Sequence, residues 1–223
     1  MEKSIKIDKN FSNKIGGSIK KPHPMGANLR LVPRDDDPSA QLMLQFQQGD
    51  EDAFTSLFKQ YYPMIFKFSY RVLMNSHDAE DITQETFLQV YKAAPRYKPM
   101  AKFTTWLYII AKNLCINRFK SEKPIPLMKP PPNEAHLSPE ELLASSEPLP
   151  PDKFEQKQML EAVIRAIRSL SPSLRIPIIL SRYEGLSSKE ISGIMACSEA
   201  LVRLRLHRAV EALSKQLNGN KKG

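Results

Sequence analysis

Apolar residues recur at spacings of three and four through Phe54, Leu57, Phe58, Tyr61, Tyr62, Ile65, Phe66, Phe68 and Leu73, the period of a helix buried along much of its girth. Pro63 lies inside this run and is expected to bend it. Ahead of it, Asp37-Pro38 offers an N-cap followed by proline at the first helical position. Leu42, Met43, Leu44 and Phe46 supply an apolar face there, and Gly49 is expected to end the helix. Ser76 is expected to cap a third helix that turns Ala79, Ile82, Thr86, Phe87 and Val90 inward and stops before Pro95 and Pro99. A fourth spans roughly Lys102 to Phe119. With no alternating strand pattern, residues 38–121 read as an all-α bundle.

The pattern then breaks. Residues 124 to 151 hold nine of the eighteen prolines and, with Asp152, five acids against the single Lys129. Residues 122–152 therefore read as an extended acidic tether, either a solvated spacer or a strand suited to a basic protein channel. Residues 153–223 form a second helical unit with thirteen Lys or Arg against six acids. Ser171-Pro172 starts one helix and Gly185 stops it. Ser187 and Glu190 make a capping box for a short helix carrying Ile191, Ile194 and Met195, with Gly193 inside it. After a turn at Ala196-Cys197, Ser198 caps a longer helix to Leu217. Residues 1–37 carry eight basic and five acidic residues without an apolar period, and read as a largely disordered extension.

A short helix, a turn and a longer helix describe a helix-turn-helix, whose second helix can enter the major groove. On that helix Val202, Leu206, Ala209 and Leu213 share the packing face. Ala200, Arg203, Leu204, His207 and Arg208 take the opposite side, with Arg205 at its edge. Such a face suits phosphates and guanine edges, or is simply a solvated basic surface.

Charge sharpens the picture. The 223 residues carry a net +9, which favours a polyanionic partner, nucleic acid before membrane. No apolar run of about 18 residues and no secretion signal is present, so a cytoplasmic protein without a membrane partner is expected. The two cysteines, Cys115 and Cys197, read as packing residues, not as a disulfide or metal site.

Within the first unit, two neighbouring stretches want opposite partners. Asp78-Ala-Glu-Asp-Ile-Thr-Gln-Glu-Thr-Phe87 has four carboxylates and no cation. Residues 96 to 123 carry seven Lys or Arg against Glu122, interleaved with aromatic residues. Cations for phosphates and rings for unpaired bases are what a single strand asks for. Trp106, the sole tryptophan, is a core ring or a stacking edge, and the loop from Pro95 to Met100 can shape a pocket for an extruded base. Asp78, Asp81 and Glu85 fall on one helix face, which is solvated or meets a basic protein. A metal reading of them lacks a second carboxylate cluster, with His77 the one nearby imidazole, so neither a metal, a cofactor nor a catalytic residue is expected.

At these residues the chain resembles a bacterial sigma factor of the extracytoplasmic-function group, within the sigma-70 family. The matching stretches are Asp78 to Phe87, Phe103-Thr-Thr-Trp-Leu-Tyr-Ile-Ile-Ala-Lys-Asn113, Glu184-Gly-Leu-Ser-Ser-Lys-Glu-Ile191 and Val202-Arg-Leu-Arg-Leu-His-Arg-Ala209, in the family's order over about residues 40 to 217. The resemblance implies two helical domains, sigma region two and a region four helix-turn-helix, joined by the tether. Asp78, Glu80, Asp81, Gln84 and Glu85 would dock on the clamp helices of the RNA polymerase largest subunit, with the flap as a further contact. Lys102, Phe103, Trp106, Lys112 and Asn113, with the basic neighbours Arg118 and Lys120, would hold the minus-ten promoter element as a single strand. Arg203, Leu204, His207 and Arg208, with Arg205 beside them, would read the minus-thirty-five duplex. The tether would thread toward the RNA exit path, and an anti-sigma factor would cover these surfaces.

Two positions depart from the family. Leu204 stands where Ser is frequent and Leu201 where Thr is frequent, which leaves the promoter sequence open. Two rival readings remain at this point. A helix-turn-helix regulator without stable polymerase binding would leave the acidic stripe and Trp106 unused. A metal enzyme would use Asp78, Asp81 and Glu85.

Overall fold

Eight α-helices and one 3-10 turn, with no strand, make up the described residues, 37–121 and 153–219 of the computed structural model. The readings of the leader up to residue 36 and of the acidic tether fall outside them. The first group is α1 (Pro38–Gln47), α2 (Glu51–Leu73), α3 (Ser76–Ala93), the 3-10 turn (Ala94–Arg96) and α4 (Phe103–Ser121). The second is α5 (Lys153–Ser169), α6 (Pro172–Arg182), α7 (Ser188–Met195) and α8 (Glu199–Gly219).

Local chemistry sets most of the boundaries. The Asp37 carboxylate accepts from Ser39 N at 3.0 Å, with Pro38 opening α1. Asp50 caps α2 by accepting from the amides of Asp52 and Ala53. That helix runs unbroken through Pro63, which sits on an exposed position where water can serve the freed carbonyl. It ends as Met74 turns left-handed at φ 57°. The cap of α3 is Asn75, not Ser76: its side-chain oxygen accepts from Asp78 N at 3.0 Å. Adjacent Asn and Ser are near-equal caps, and the chain uses the earlier one. Ser171 precedes α6, but its hydroxyl pairs with that of Ser173 and makes no cap hydrogen bond. The capping box of Ser187 and Glu190 forms in full. Ala196 makes the left-handed turn at φ 51°, and Ser198 Oγ accepts from Leu201 N at 3.2 Å to start α8.

The two groups share one core. Met43, Leu57, Ile65, Phe68, Phe87 and Leu107 from the first and Ile176, Ile179, Leu180, Ile191, Ile194 and Val202 from the second belong to a single cluster, each no more than 1% exposed. Fully burying such a side chain stabilises by roughly 1.5–3 kcal/mol, so their shared packing holds the groups together. α6 packs on α2 and α8, while α7 packs on both α4 and α8.

A polar seam reinforces this contact. Arg71 of α2 donates to Glu184 Oε1 at 2.9 Å and lies 4.6 Å from the centre of the Tyr183 ring. Tyr108 of α4 donates to Glu184 Oε2 at 2.7 Å. Arg175 of α6 donates to the carbonyls of Val72 at 2.8 Å and Leu170 at 2.9 Å, and also to that of Arg168. Burial, followed by the charge of Arg168, brings the Arg175 guanidinium down to about 10. A cation this well buried persists because carbonyl oxygens replace its water.

Candidate nucleic-acid interface

The acidic helix is less uniform than its spacing suggests. Ala79, Ile82, Phe87 and Val90 turn inward as expected, and Glu80, Asp81 and Gln84 face solvent with Glu85 half-buried. Asp78, however, is only 7% exposed and pairs with Arg118. It joins α3 to α4 and does not extend the exposed stripe. That bridge fixes the acidic and basic surfaces relative to each other. His77 Nδ1 lies 3.2 Å from Asp81 Oδ2 on the surface, and the ligand atoms of His77, Asp78 and Asp81 fall within 4.8 Å of one another. With Asp78 committed to Arg118, this trio falls short of the roughly six oxygens a hard cation requires.

α4 begins under a constraint that its sequence does not announce. Phe103 N donates to Asp37 Oδ2 at 2.7 Å, so one carboxylate holds the first turns of both α1 and α4. A carboxylate there also complements the positive end of the helix. Phe103, carried over from the family as a strand contact, is fully buried and ringed by Tyr61 at 5.4 Å, Trp106 at 5.9 Å and Tyr97 at 6.4 Å. In this arrangement it supports the surface from beneath. Trp106 is half-buried and lies 5.0 Å from Tyr97. Burial, then the Asp37 charge, pushes the Tyr97 phenol well above its ordinary range. Both effects favour its neutral form.

The basic residues of this surface divide three ways. Arg96, Lys98 and Lys120 are exposed. Lys102 pairs with Glu190 of the second group at 3.0 Å, and Arg118 pairs with Asp78. Lys112 is 8% exposed; its burial pulls the ammonium down, opposed by the neighbouring Cys197. Asn113 is half-buried. Lys112 is thus a covered residue here, because α7 and its turn lie over α4.

On α8 the sequence-derived wheel holds. Val202 and Ala209 are fully buried, whereas Arg203, Leu204, His207 and Arg208 are exposed. Arg203 forms an exposed pair with Glu199 at 2.6 Å, a weak contact that DNA can displace. Arg205 differs: it is half-buried and donates to Cys197 Sγ at 3.7 Å, which turns it toward the preceding turn. Leu204, 44% exposed, gives this face an apolar spot suited to a thymine methyl group. The reading from sequence missed the seam of Arg71, Tyr108, Glu184 and Arg175 and the second contact of Asp37, with Phe103 N, all of which join positions far apart along the chain.

Residues 57–125 match the model of Sigma-70 region 2, and residues 160–213 that of Sigma-70, region 4. The chain is 34% identical over 179 residues to the ECF RNA polymerase sigma factor SigW of Bacillus subtilis, covering 78% of this chain and 93% of that protein. It is 31% identical over 175 residues to the RNA polymerase sigma factor CarQ of Myxococcus xanthus, covering 78% and 95%. Among solved structures, CnrH in complex with the cytosolic domain of CnrY is similar in fold, with a TM-score of 0.60 at 20% identity over 82% of this chain and 99% of that one.

Proposed function

Because the chain belongs to the extracytoplasmic-function group of the sigma-70 family, we propose a division of labour among the surfaces that it presents to polymerase and promoter. As a sigma factor it binds core RNA polymerase and directs promoter-specific initiation of transcription. Family members supply position and strand opening, and the bond chemistry belongs to the polymerase. The exposed Glu80, Asp81 and Gln84, with the half-buried Glu85, dock on a basic surface of the polymerase. Asp78 contributes by fixing their helix to α4.

α4 and the loop before it hold the minus-ten element as a single strand. Lys98, Lys120 and Arg118 meet phosphates, and Trp106 offers a ring edge to bases. α8 enters the major groove at the minus-thirty-five element through Arg203, Leu204, His207 and Arg208. The acidic tether joins the units along the path of the nascent RNA, and an anti-sigma partner acts by covering the same faces. The protein works in the cytoplasm, where its polymerase is, and no helix among the described residues is long and apolar enough to cross a membrane.

One observation carries this reading. A carboxylate face on α3 and a cationic, aromatic face on α4 are joined by Asp78 and Arg118, so one packed body can bridge a protein and a polyanion. A free-standing duplex regulator would have no use for the first face. The test is in vitro transcription: purified chain, core polymerase and a promoter library, with transcript starts sequenced. New starts sharing two upstream elements are expected, and an unchanged start pattern would overturn the proposal.

A further inference from the structure

The two cysteines meet different surroundings. Cys115 is fully buried on α4, and burial pushes its thiol up to about 12. It packs as its sequence pattern suggests, and a thiol enclosed in this way is inert. Cys197 instead lies in the turn between α7 and α8, outside any helix, and is half-buried. Arg205 Nη1 donates to its Sγ at 3.7 Å. From α4 comes Lys112, only 8% exposed, whose ammonium makes no hydrogen bond or ion pair with any described residue. Burial pulls that ammonium down, and the neighbouring Cys197 opposes the pull. A buried cation is costly unless an anion or strong acceptors meet it, and the group beside this one is an oxidisable thiol. A partly exposed sulfur among cations is the setting in which cysteines react.

We propose that Cys197 is a modification site for small hydroperoxides, and that the oxygen its sulfur gains is bound by Lys112 and Arg205. The sulfur attacks the distal peroxide oxygen, so an S–O bond forms as the O–O bond breaks and two electrons pass from sulfur to peroxide. The leaving oxygen takes a proton from Lys112, a readier acid because burial disfavours its charged form. The thiol proton then replaces the one the lysine gave up. The products are a sulfenic acid and an alcohol, or water when the oxidant is hydrogen peroxide. A thiol sulfur is a weak acceptor and the sulfenic oxygen a stronger one, so oxidation supplies a partner to Lys112. Lys112 belongs to α4 and Cys197 to the turn before α8, so the new contact ties the two helical groups more firmly.

The experiment treats the full chain with hydrogen peroxide and dimedone, a diketone that traps sulfenic acids, and locates the label by peptide mass mapping. Cys197 should be labelled at least about tenfold faster than Cys115. Lys112→Met, which keeps the length of the side chain and removes its charge, should slow labelling of Cys197 by at least about tenfold. Arg205→Gln, on half-buried ground, should slow it in the same direction and guards against misfolding of the first variant. Without dimedone, peroxide should raise the urea midpoint of the wild type and leave that of Lys112→Met in place. Cys197→Ser, oxidised in parallel, subtracts the effect of methionine oxidation, for which Met159 at 67% exposure is the most open target. Equal labelling of the two cysteines, or a Cys197 rate unchanged in both Lys112→Met and Arg205→Gln, would overturn the site. A wild-type midpoint that moves no more than that of Cys197→Ser would overturn the capture of the new oxygen by Lys112.

Discussion

Arg71 and Glu184, 113 positions apart in sequence, form a 2.9 Å ion pair with their side chains only 11% and 9% exposed. Deleting one member of a buried pair typically costs ~3–5 kcal/mol, because the survivor is left charged without water. Parting of the two helical groups would rehydrate Glu184, which would cap the loss at the energy of docking. Arg71→Ala should therefore lower the first urea midpoint and split one cooperative transition into two. A single transition at the wild-type midpoint would show that the pair does not hold the groups together.

Asp37 reaches two helix starts, through Ser39 N at 3.0 Å and Phe103 N at 2.7 Å. Asp37→Ala should destabilise the front bundle by about 1–2 kcal/mol, the range for a lost cap. Its sharper signature is functional. The start of α4 should loosen, so that strand opening, followed by a fluorescent base analogue in the minus-ten element, falls more than upstream duplex binding. Equal losses in both would reduce Asp37 to a stability residue.

The features legible in sequence are those set by neighbours. Asp37-Pro38, the Ser187 and Glu190 box and the Val202 to Leu213 face all depend on residues within a few positions, and each forms as read. The choice between Asn75 and Ser76 as cap was beyond local reading, since both side chains can do it. Asp78 shared a helix face with Asp81 and Glu85, yet its partner Arg118 lies 40 positions on and turns it inward. Phe103 and Lys112 entered as surface residues from their family positions, but rings from three elements bury the first and the helix-turn-helix covers the second. The Arg71, Tyr108 and Glu184 seam had no local signal at all.

Tyr108 gives the fold an alkaline dependence. Its phenol is raised above 10.0 by burial, then by the charge of Glu184 and the hydrogen bond to it. Above pH 10 the unfolded phenol loses its proton while the folded one keeps it. The unfolded state then binds fewer protons, and stability falls as pH rises. Tyr108→Phe removes this contribution. Between pH 10 and 11 the wild type should lose up to ~1.4 kcal/mol more than the variant, measured by urea unfolding at each pH. Parallel losses in both chains would place the alkaline sensitivity elsewhere.

Arg205 and Arg208 lie three residues apart but meet different surroundings. Arg208 is exposed, whereas Arg205 donates to Cys197 Sγ at 3.7 Å. Arg208→Ala should therefore weaken upstream duplex binding by ~1–3 kcal/mol, and Arg205→Ala by clearly less. Fluorescence anisotropy with one duplex at one salt concentration decides it. The reverse order would mean that α8 rotates before it meets DNA.

The most direct test of the account is the affinity for core RNA polymerase of a chain carrying Glu80→Gln, Asp81→Asn and Glu85→Gln together. These side chains lie on the outer face of α3, and amides keep their shape while removing their charge. The variant should keep the wild-type melting temperature, bind core polymerase at least about tenfold more weakly, and lose the ionic-strength dependence of that binding. Wild-type affinity with an unchanged salt dependence would contradict the assignment of this face to the polymerase.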